Sequence, residues 1–266
     1  ATCYAVLAYR TAYLKRFYPK EFMAAILNNR IEKIEEITKY TVYLKEKNIP
    51  VLQPDVNKSK PYFSVQGDAV RFGLSALKGV GVGATEKIIE ERNEHGEFKN
   101  FPDFVFRCAP LLNKRMLEGL ISAGAFDCFG VRRSQLLAVY ESVLDRANKI
   151  NKQKSSMQMS LFGDIIEEDV TDISYPNIPE LENNDKLARE KAVLGVYVSG
   201  HPFEGYMHAF KDCSFSCMKM QNFEEDEEGH RAYPELTDGA PVTMGGIIGT
   251  FKKIMTRSGS PMAFIS

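Results

Sequence analysis

The chain has 266 residues, 44% of them hydrophobic, and a net charge of −1, enough material to bury a sizeable core in two or three domains. No apolar run approaches the ~18 residues that a membrane span needs, no signal-peptide pattern opens the chain, and five cysteines without a CxxC pair argue against a disulfide framework. The expectation is a soluble, cytoplasmic protein without membrane contact; the lack of an initial Met, with helical phase already set at Tyr4, suggests a fragment of something longer.

In chain order, Tyr4, Leu7, Ala8, Thr11 and Leu14 hold helical phase, and Pro19 can open a second helix because its missing N–H costs nothing at the first helical position. Ile34, Ile37, Thr41 and Leu44 mark one face of a third, charged helix ending near Asn48. Pro50 and Pro54 then break the helical period, and "YFSV" and "AVRFGL" flank the turn residues "QGD" as a short β-hairpin. Helices resume in "ATEKIIEER", "FPDFVFRCA", "NKRMLEGLISAGAF" and "VRRSQLLAVYESVLDRANKINKQK", joined by glycine-containing connections. A polar tract from Ser155 to about Asn184 reads as linker. Beyond it, "DKLAREKAVLGVYVSGHPFEGY" predicts a helix with a turn at Gly200 and Pro202, "NFEEDEEGHRAYPELTDG" a solvated acidic loop, and the last stretch two strands turning at "RSGS". The fold class expected is mainly α, with a short β-hairpin and a truncated β piece at the end.

The sharpest local signal is "LSALKGVGVGATEKIIEER". Gly79 and Gly81 bracket Val80, which would plug a tight turn into the core, and the glycines permit φ > 0 and close approach of another backbone. The next helix starts with amides lacking intrahelical partners, which with the helix dipole favour a phosphate. Lys78 and Lys87 add screened attraction. This is the pattern of a helix-hairpin-helix, which holds nucleic-acid backbone without reading bases; its candidate contacts are Lys78, Gly79, Val80, Gly81, Gly83, Ala84, Thr85 and Lys87. A degraded copy lies downstream: Lys114 and Arg115, a helix, then Ala123, Gly124 and Ala125 before Phe126. Two such hairpins would touch both strands across a minor groove, although a plain helical hairpin with a glycine cap fits the second spacing equally well. A rival reading makes Gly79, Gly81 and Ala84 a dinucleotide-binding turn of a nucleotide-dependent enzyme. It needs "AVRFGLSAL" to be a buried strand and a further strand to continue the sheet, yet the segments after Arg92 read as helix upon helix.

Charge changes sign along the chain: residues 1–157 carry 25 Lys and Arg against 17 Asp and Glu, residues 158–266 carry 9 against 18. A basic half suits a polyanion. At the boundary, Gln158, Met159, Ser160, Leu161 and Phe162 form an apolar knot inside a polar tract, where nothing nearby in sequence can bury Leu161 and Phe162. No metal site is expected: His208, Cys213 and Cys217 match no common zinc spacing and read as a surface His and two ordinary buried thiols, while the odd total of five, with Cys3, Cys108 and Cys128, fits a reducing compartment.

Taken as an ordered series, "YAVLAYRTAYLKRFYPKEFMAAIL", "LQPDVNKS", "RFGLSALKGVG", "LNKRMLEGLISAGAFD", "QMSLF", "REKAVLGVYVSGHP" and "TMGGIIGTFKKIMTRSGSPMAF" resemble the alpha subunits of the bacterial C-family replicative DNA polymerases over nearly the whole chain. The resemblance implies the end of a fingers domain at 1–60, a tandem helix-hairpin-helix at 61–150, a linker with a sliding-clamp-binding peptide at 151–184, a connector at 185–239 and the first strands of an OB domain at 240–266. It implies duplex DNA and the sliding clamp as partners, with other replicase subunits as further candidates. Gln158 would bond at the rim of a pocket on the clamp, Leu161 and Phe162 would fill its apolar cleft, and Met159 and Ser160 would be spacers. In the OB piece, Phe251, Lys252, Lys253 and Arg257 suggest single-strand contacts. The palm domain of that family, with its carboxylates and two Mg²⁺ ions, precedes the matching segment, so this chain is expected to bind without catalysing and to hold no cofactor.

Overall fold

The computed structural model describes residues 2–31, 33–155 and 173–213, and beyond these 224–225, 231–232, 239, 241–246, 248, 250–256 and 259–265. The chain divides into two compact units, 1–201 and 202–266.

The first unit is helical. α1 (Thr2–Phe17) contributes no buried residue, so the face predicted from Tyr4, Leu7 and Leu14 is exposed; the core begins in α2 (Pro19–Asn29) with Met23, Ala24 and Leu27. Pro19 sits in the first turn of α2 as its chemistry requires. α3 (Ile34–Glu46) buries Ile37, Thr41 and Leu44 of the predicted stripe. β2 (Ser64–Gln66) and β3 (Ala69–Arg71) pair antiparallel around Gly67 and Asp68, as "QGD" predicts. A strand not expected from the sequence, β1 (Val51–Leu52), pairs parallel to β3 and completes a sheet of order β1-β3-β2.

α4 (Val82–His95), α5 (Phe101–Cys108), α6 (Lys114–Ser122) and α7 (Arg133–Ser155) match the predicted helical segments closely. Asn100 and Asn113 cap α5 and α6, accepting from the amides of Asp103 at 2.9 Å and Met116 at 2.8 Å; each such cap stabilises by ~1 kcal/mol. The phenyl rings of Phe98, Phe101, Phe104 and Phe126 meet edge to face, with centroids 4.9–5.0 Å apart. α8 (Asn183–Leu194) ends where Gly195 takes a left-handed conformation, five residues before the turn expected at Gly200.

One continuous core runs from Met23 to Val196. The described end of the expected linker joins it: Ile173 and Tyr175 pack on the core, while Arg132 and Gln135 donate to the carbonyls of Ile178 and Pro176, each at 2.8 Å. Residues 173–182 are thus a strap across the start of α7, not a solvated tether.

In the second unit, β6 (Phe251–Met255) and β7 (Pro261–Ile265) pair antiparallel around the predicted turn. The acidic insert, expected as a loop, contains a short ladder of β4 (Glu224–Glu225) with β5 (Arg231–Ala232). Arg257 lies outside the described residues.

Candidate nucleic-acid interface

The glycine turn is entered by a single 3-10 turn, Leu74–Ala76, where a helix was expected on both sides of Val80. The reason is close packing: Gly73 lies against the backbone of Pro61 and Tyr62, while Leu74 and Ser75 donate to the carbonyls of Lys60 and Pro61 at 3.1 and 3.0 Å. Leu74, Leu77 and Val80 are buried, so Val80 is the plug it was expected to be. Gly79 carries the turn with φ +86°. Gly81, expected to share that freedom, is extended at φ −77°, ψ 146° and serves as N-cap of α4.

No side chain caps α4. Its first internal bond runs from the Thr85 amide to the Gly81 carbonyl at 3.1 Å, so the amides of Val82, Gly83 and Ala84 are the unsatisfied first turn. Gly81, Val82 and Gly83 are exposed, and a Cβ added at Gly81 or Gly83 would meet nothing within 4 Å. Neither glycine is therefore needed for internal packing, and Gly83 costs its helix roughly 0.5–1 kcal/mol against Ala. What the pair does is clear the ground in front of three free N–H groups.

The other predicted contacts divide by their surroundings. Lys78 and Lys87 are exposed beside the turn. Ala84 is half-buried. Thr85 is fully buried, and its hydroxyl donates to the Gly81 carbonyl at 2.9 Å, so its side chain fastens the turn internally. Arg115 is exposed next to Gly79, its Nε 3.8 Å from where a Cβ would stand. Lys114 instead faces α7, 2.7 Å from Glu141 and 3.7 Å from Asp145. The bond to Glu141 raises the ammonium pKa above its ordinary value and holds the Glu141 carboxyl below its own.

The second hairpin shares the geometry of the first but not its free amides. Gly124 turns with φ +80°, and α7 begins after Arg132. The amides of Arg133 and Ser134 at that helix start each donate to Glu180 at 3.1 Å, and the amide of Leu181 does so at 2.8 Å. Partial burial opposes ionisation of Glu180, yet these three amides outweigh it and keep the carboxyl below the usual range. The position that a phosphate would take is filled by the chain's own carboxylate. Glu180 is a site residue that the sequence did not flag.

Behind both hairpins lies a buried ionic network. Arg133 donates to Asp127 at 2.9 and 2.6 Å and to the Ser122 carbonyl at 3.0 Å, and stands 3.8 Å from Glu190, which is wholly buried. Glu190 in turn accepts from the amides of Val198 and Ser199 and from the Ser199 hydroxyl.

The dinucleotide reading fails on topology: β3 ends at Arg71, residues 72–78 with their 3-10 turn separate it from Gly79, and α5 succeeds α4 with no strand between. Among the described residues no three His, Cys, Asp or Glu side chains gather as a metal site. Burial pushes the thiol of Cys108 up to about 12, which removes it as a nucleophile near neutral pH. Gln158, Met159, Ser160, Leu161 and Phe162 lie outside the described residues.

The family described as a helix-hairpin-helix motif matches residues 48–136, which takes in both glycine turns and the start of α7. Among curated proteins, the chain is 35% identical to DNA polymerase III subunit alpha of Campylobacter jejuni over 97% of its own length and 21% of the relative's. Against the subunit of the same name from Thermus aquaticus the identity is 37%, covering 99% of this chain and 20% of the relative; for Mycobacterium tuberculosis H37Rv the values are 32%, 99% and 22%. The chain spans about a fifth of the length of these relatives.

Proposed function

We infer the function from one premise: the chain belongs to the family of DNA polymerase III alpha subunits. In that setting its role is to hold duplex DNA by the backbone while synthesis proceeds elsewhere in the whole protein. The observation that carries this reading is the uncapped start of α4, where Gly81 and Gly83 leave open space in front of free amides and Lys78, Lys87 and Arg115 supply positive charge. Contacts of this kind position a duplex without reading its sequence. The chain itself is proposed to be inactive as a polymerase. Duplex affinity of the wild type, compared with a Gly81→Leu/Gly83→Leu variant across a range of salt, tests the reading.

A second handle is proposed at Gln158 to Phe162, with the sliding clamp as partner. Its support is the sequence: Leu161 and Phe162 sit in a polar tract at the point where the chain turns from basic to acidic. A five-residue peptide ordered only on binding is weak alone, and gains strength when DNA is held by the same protein. Leu161→Ala/Phe162→Ala is expected to abolish retention on an immobilised clamp with the melting temperature unchanged; a large drop in melting temperature would place both residues in this chain's own core. The strands β6 and β7 are proposed as the opening hairpin of an OB domain, with Phe251, Lys252 and Lys253 available to a single strand.

A further inference from the structure

We propose that the turn Asp55–Lys60 is a second phosphate-binding edge for duplex DNA, presenting Lys58 and Lys60 in the place that the second hairpin's helix start cannot fill. The inference rests on the duplex-holding reading of the first hairpin and extends its footprint.

The turn is fixed to both hairpins. The Val56 amide donates to the Ala125 carbonyl at 3.0 Å, within the second glycine turn, and the Lys60 carbonyl accepts from Leu74 at 3.1 Å, at the start of the first. Arg92, near the far end of α4, donates to the carbonyls of Val56 and Ser59, both at 2.9 Å. Because Val82 and Arg92 are separated by about 15 Å along the helix, the turn is held beside α4, away from its free amides, and can meet a different part of the same duplex.

Its shape is set in advance. The Asp55 carboxylate accepts from the amides of Asn57 at 2.8 Å and Lys58 at 3.2 Å, and the Asp55 carbonyl accepts from Ser59 at 2.8 Å. Ser59 is fully buried and donates its hydroxyl to the Phe72 carbonyl at 2.8 Å. Asn57 exchanges two bonds with Phe98, both 2.9 Å. On either side of the buried Ser59, Lys58 and Lys60 are exposed. Among the described residues no carboxylate pairs with either ammonium, whereas Lys20, Lys33 and Lys114 each have an acidic partner within 4 Å. Because the backbone of the turn is already ordered, meeting a phosphate chain costs the freedom of the two lysine side chains alone. At the second hairpin, by contrast, Glu180 blocks the amides and Glu141 engages Lys114, so the backbone contact that a paired hairpin would make there shifts to the turn.

The test measures duplex affinity of the full chain by fluorescence anisotropy, against salt, for the wild type, Lys58→Glu/Lys60→Glu and Lys78→Glu/Lys87→Glu, with melting temperatures as a folding check and Lys58→Gln/Lys60→Gln as the milder variant. The Lys58/Lys60 variants are expected to bind at least tenfold more weakly, with the slope of log K against log salt reduced by roughly 0.9 for each phosphate no longer neutralised. If they bind like the wild type while Lys78→Glu/Lys87→Glu is weakened, the turn is not part of the interface and the hairpin reading stands. If neither pair changes the affinity, the hairpin reading falls as well.

Discussion

Gly73→Ala is expected to lower the stability of the helical unit by about 3 kcal/mol or more, a fall of roughly 6–12 °C in melting temperature for a unit of this size. The backbone of Gly73 has φ −76°, which any residue adopts, so the penalty is purely steric. A Cβ there would lie 2.6 Å from the Tyr62 Cα and closer still to the Pro61 carbonyl oxygen. Relief would require this backbone to move, and it is tied on three sides: Leu74 donates to Lys60, Ser75 to Pro61, and Phe63 donates to Asn28 on α2 at 2.7 Å. The same clash would pry open the 3-10 turn that leads to Gly79, so duplex binding should weaken with stability. A melting temperature within 2 °C of wild type would contradict the close packing assigned to this turn.

The second large effect is expected from Arg133→Leu, which removes a guanidinium 1% exposed from its partners Asp127, Ser122 and Glu190. Breaking a buried ionic contact by removing one partner costs about 3–5 kcal/mol, because the remaining charge stays buried, here offset only in part by its hydrogen bonds from Val198 and Ser199. Asp127 is partly exposed and can turn to water, whereas Glu190 is fully buried and cannot. The residual strain should therefore sit on Glu190. Adding Glu190→Gln to Arg133→Leu should recover part of the loss, a positive coupling in a double-mutant cycle. A loss below ~1 kcal/mol for Arg133→Leu alone would show that the network contributes little. The neighbouring Gly124 reports on the same contact, since a Cβ there would meet the Arg133 guanidinium carbon at 2.8 Å.

Local chemistry made much of this fold legible. Pro19 announced the start of α2, the "QGD" turn registered β2 against β3, and the apolar Val80 between two glycines marked the buried plug. Features set by distant residues were not legible. β1 has two residues and exists because Val51 and Leu52 find β3 alongside. The helix expected before Val80 shrank to one turn because Pro61 and Tyr62 occupy the space beside Gly73. The linker reading rested on composition, which is blind to the few contacts of Ile173, Tyr175 and Glu180 that bind 173–182 to the core. Glu180 reaches α7 from 47 positions away, and no spacing rule connects a carboxylate to a helix start at that range. Sequence symmetry between the two hairpins therefore overstated their likeness: the first has free amides and open ground, the second a resident anion.

The most direct measurement of the central claim is duplex affinity for the wild type and Gly81→Leu/Gly83→Leu on two unrelated sequences. A Cβ at either position meets nothing within 4 Å and both positions are exposed, and the gain in helix propensity at position 83 offsets the poorer cap at position 81, so the melting temperature should stay close to wild type. Wild-type affinity should be the same on both sequences and fall about 40-fold between ~50 and ~200 mM salt if three phosphates are neutralised. The variant should bind at least tenfold more weakly at every salt concentration. A variant that folds and binds duplex as tightly as the wild type would show that phosphates do not approach the start of α4, and would contradict the account.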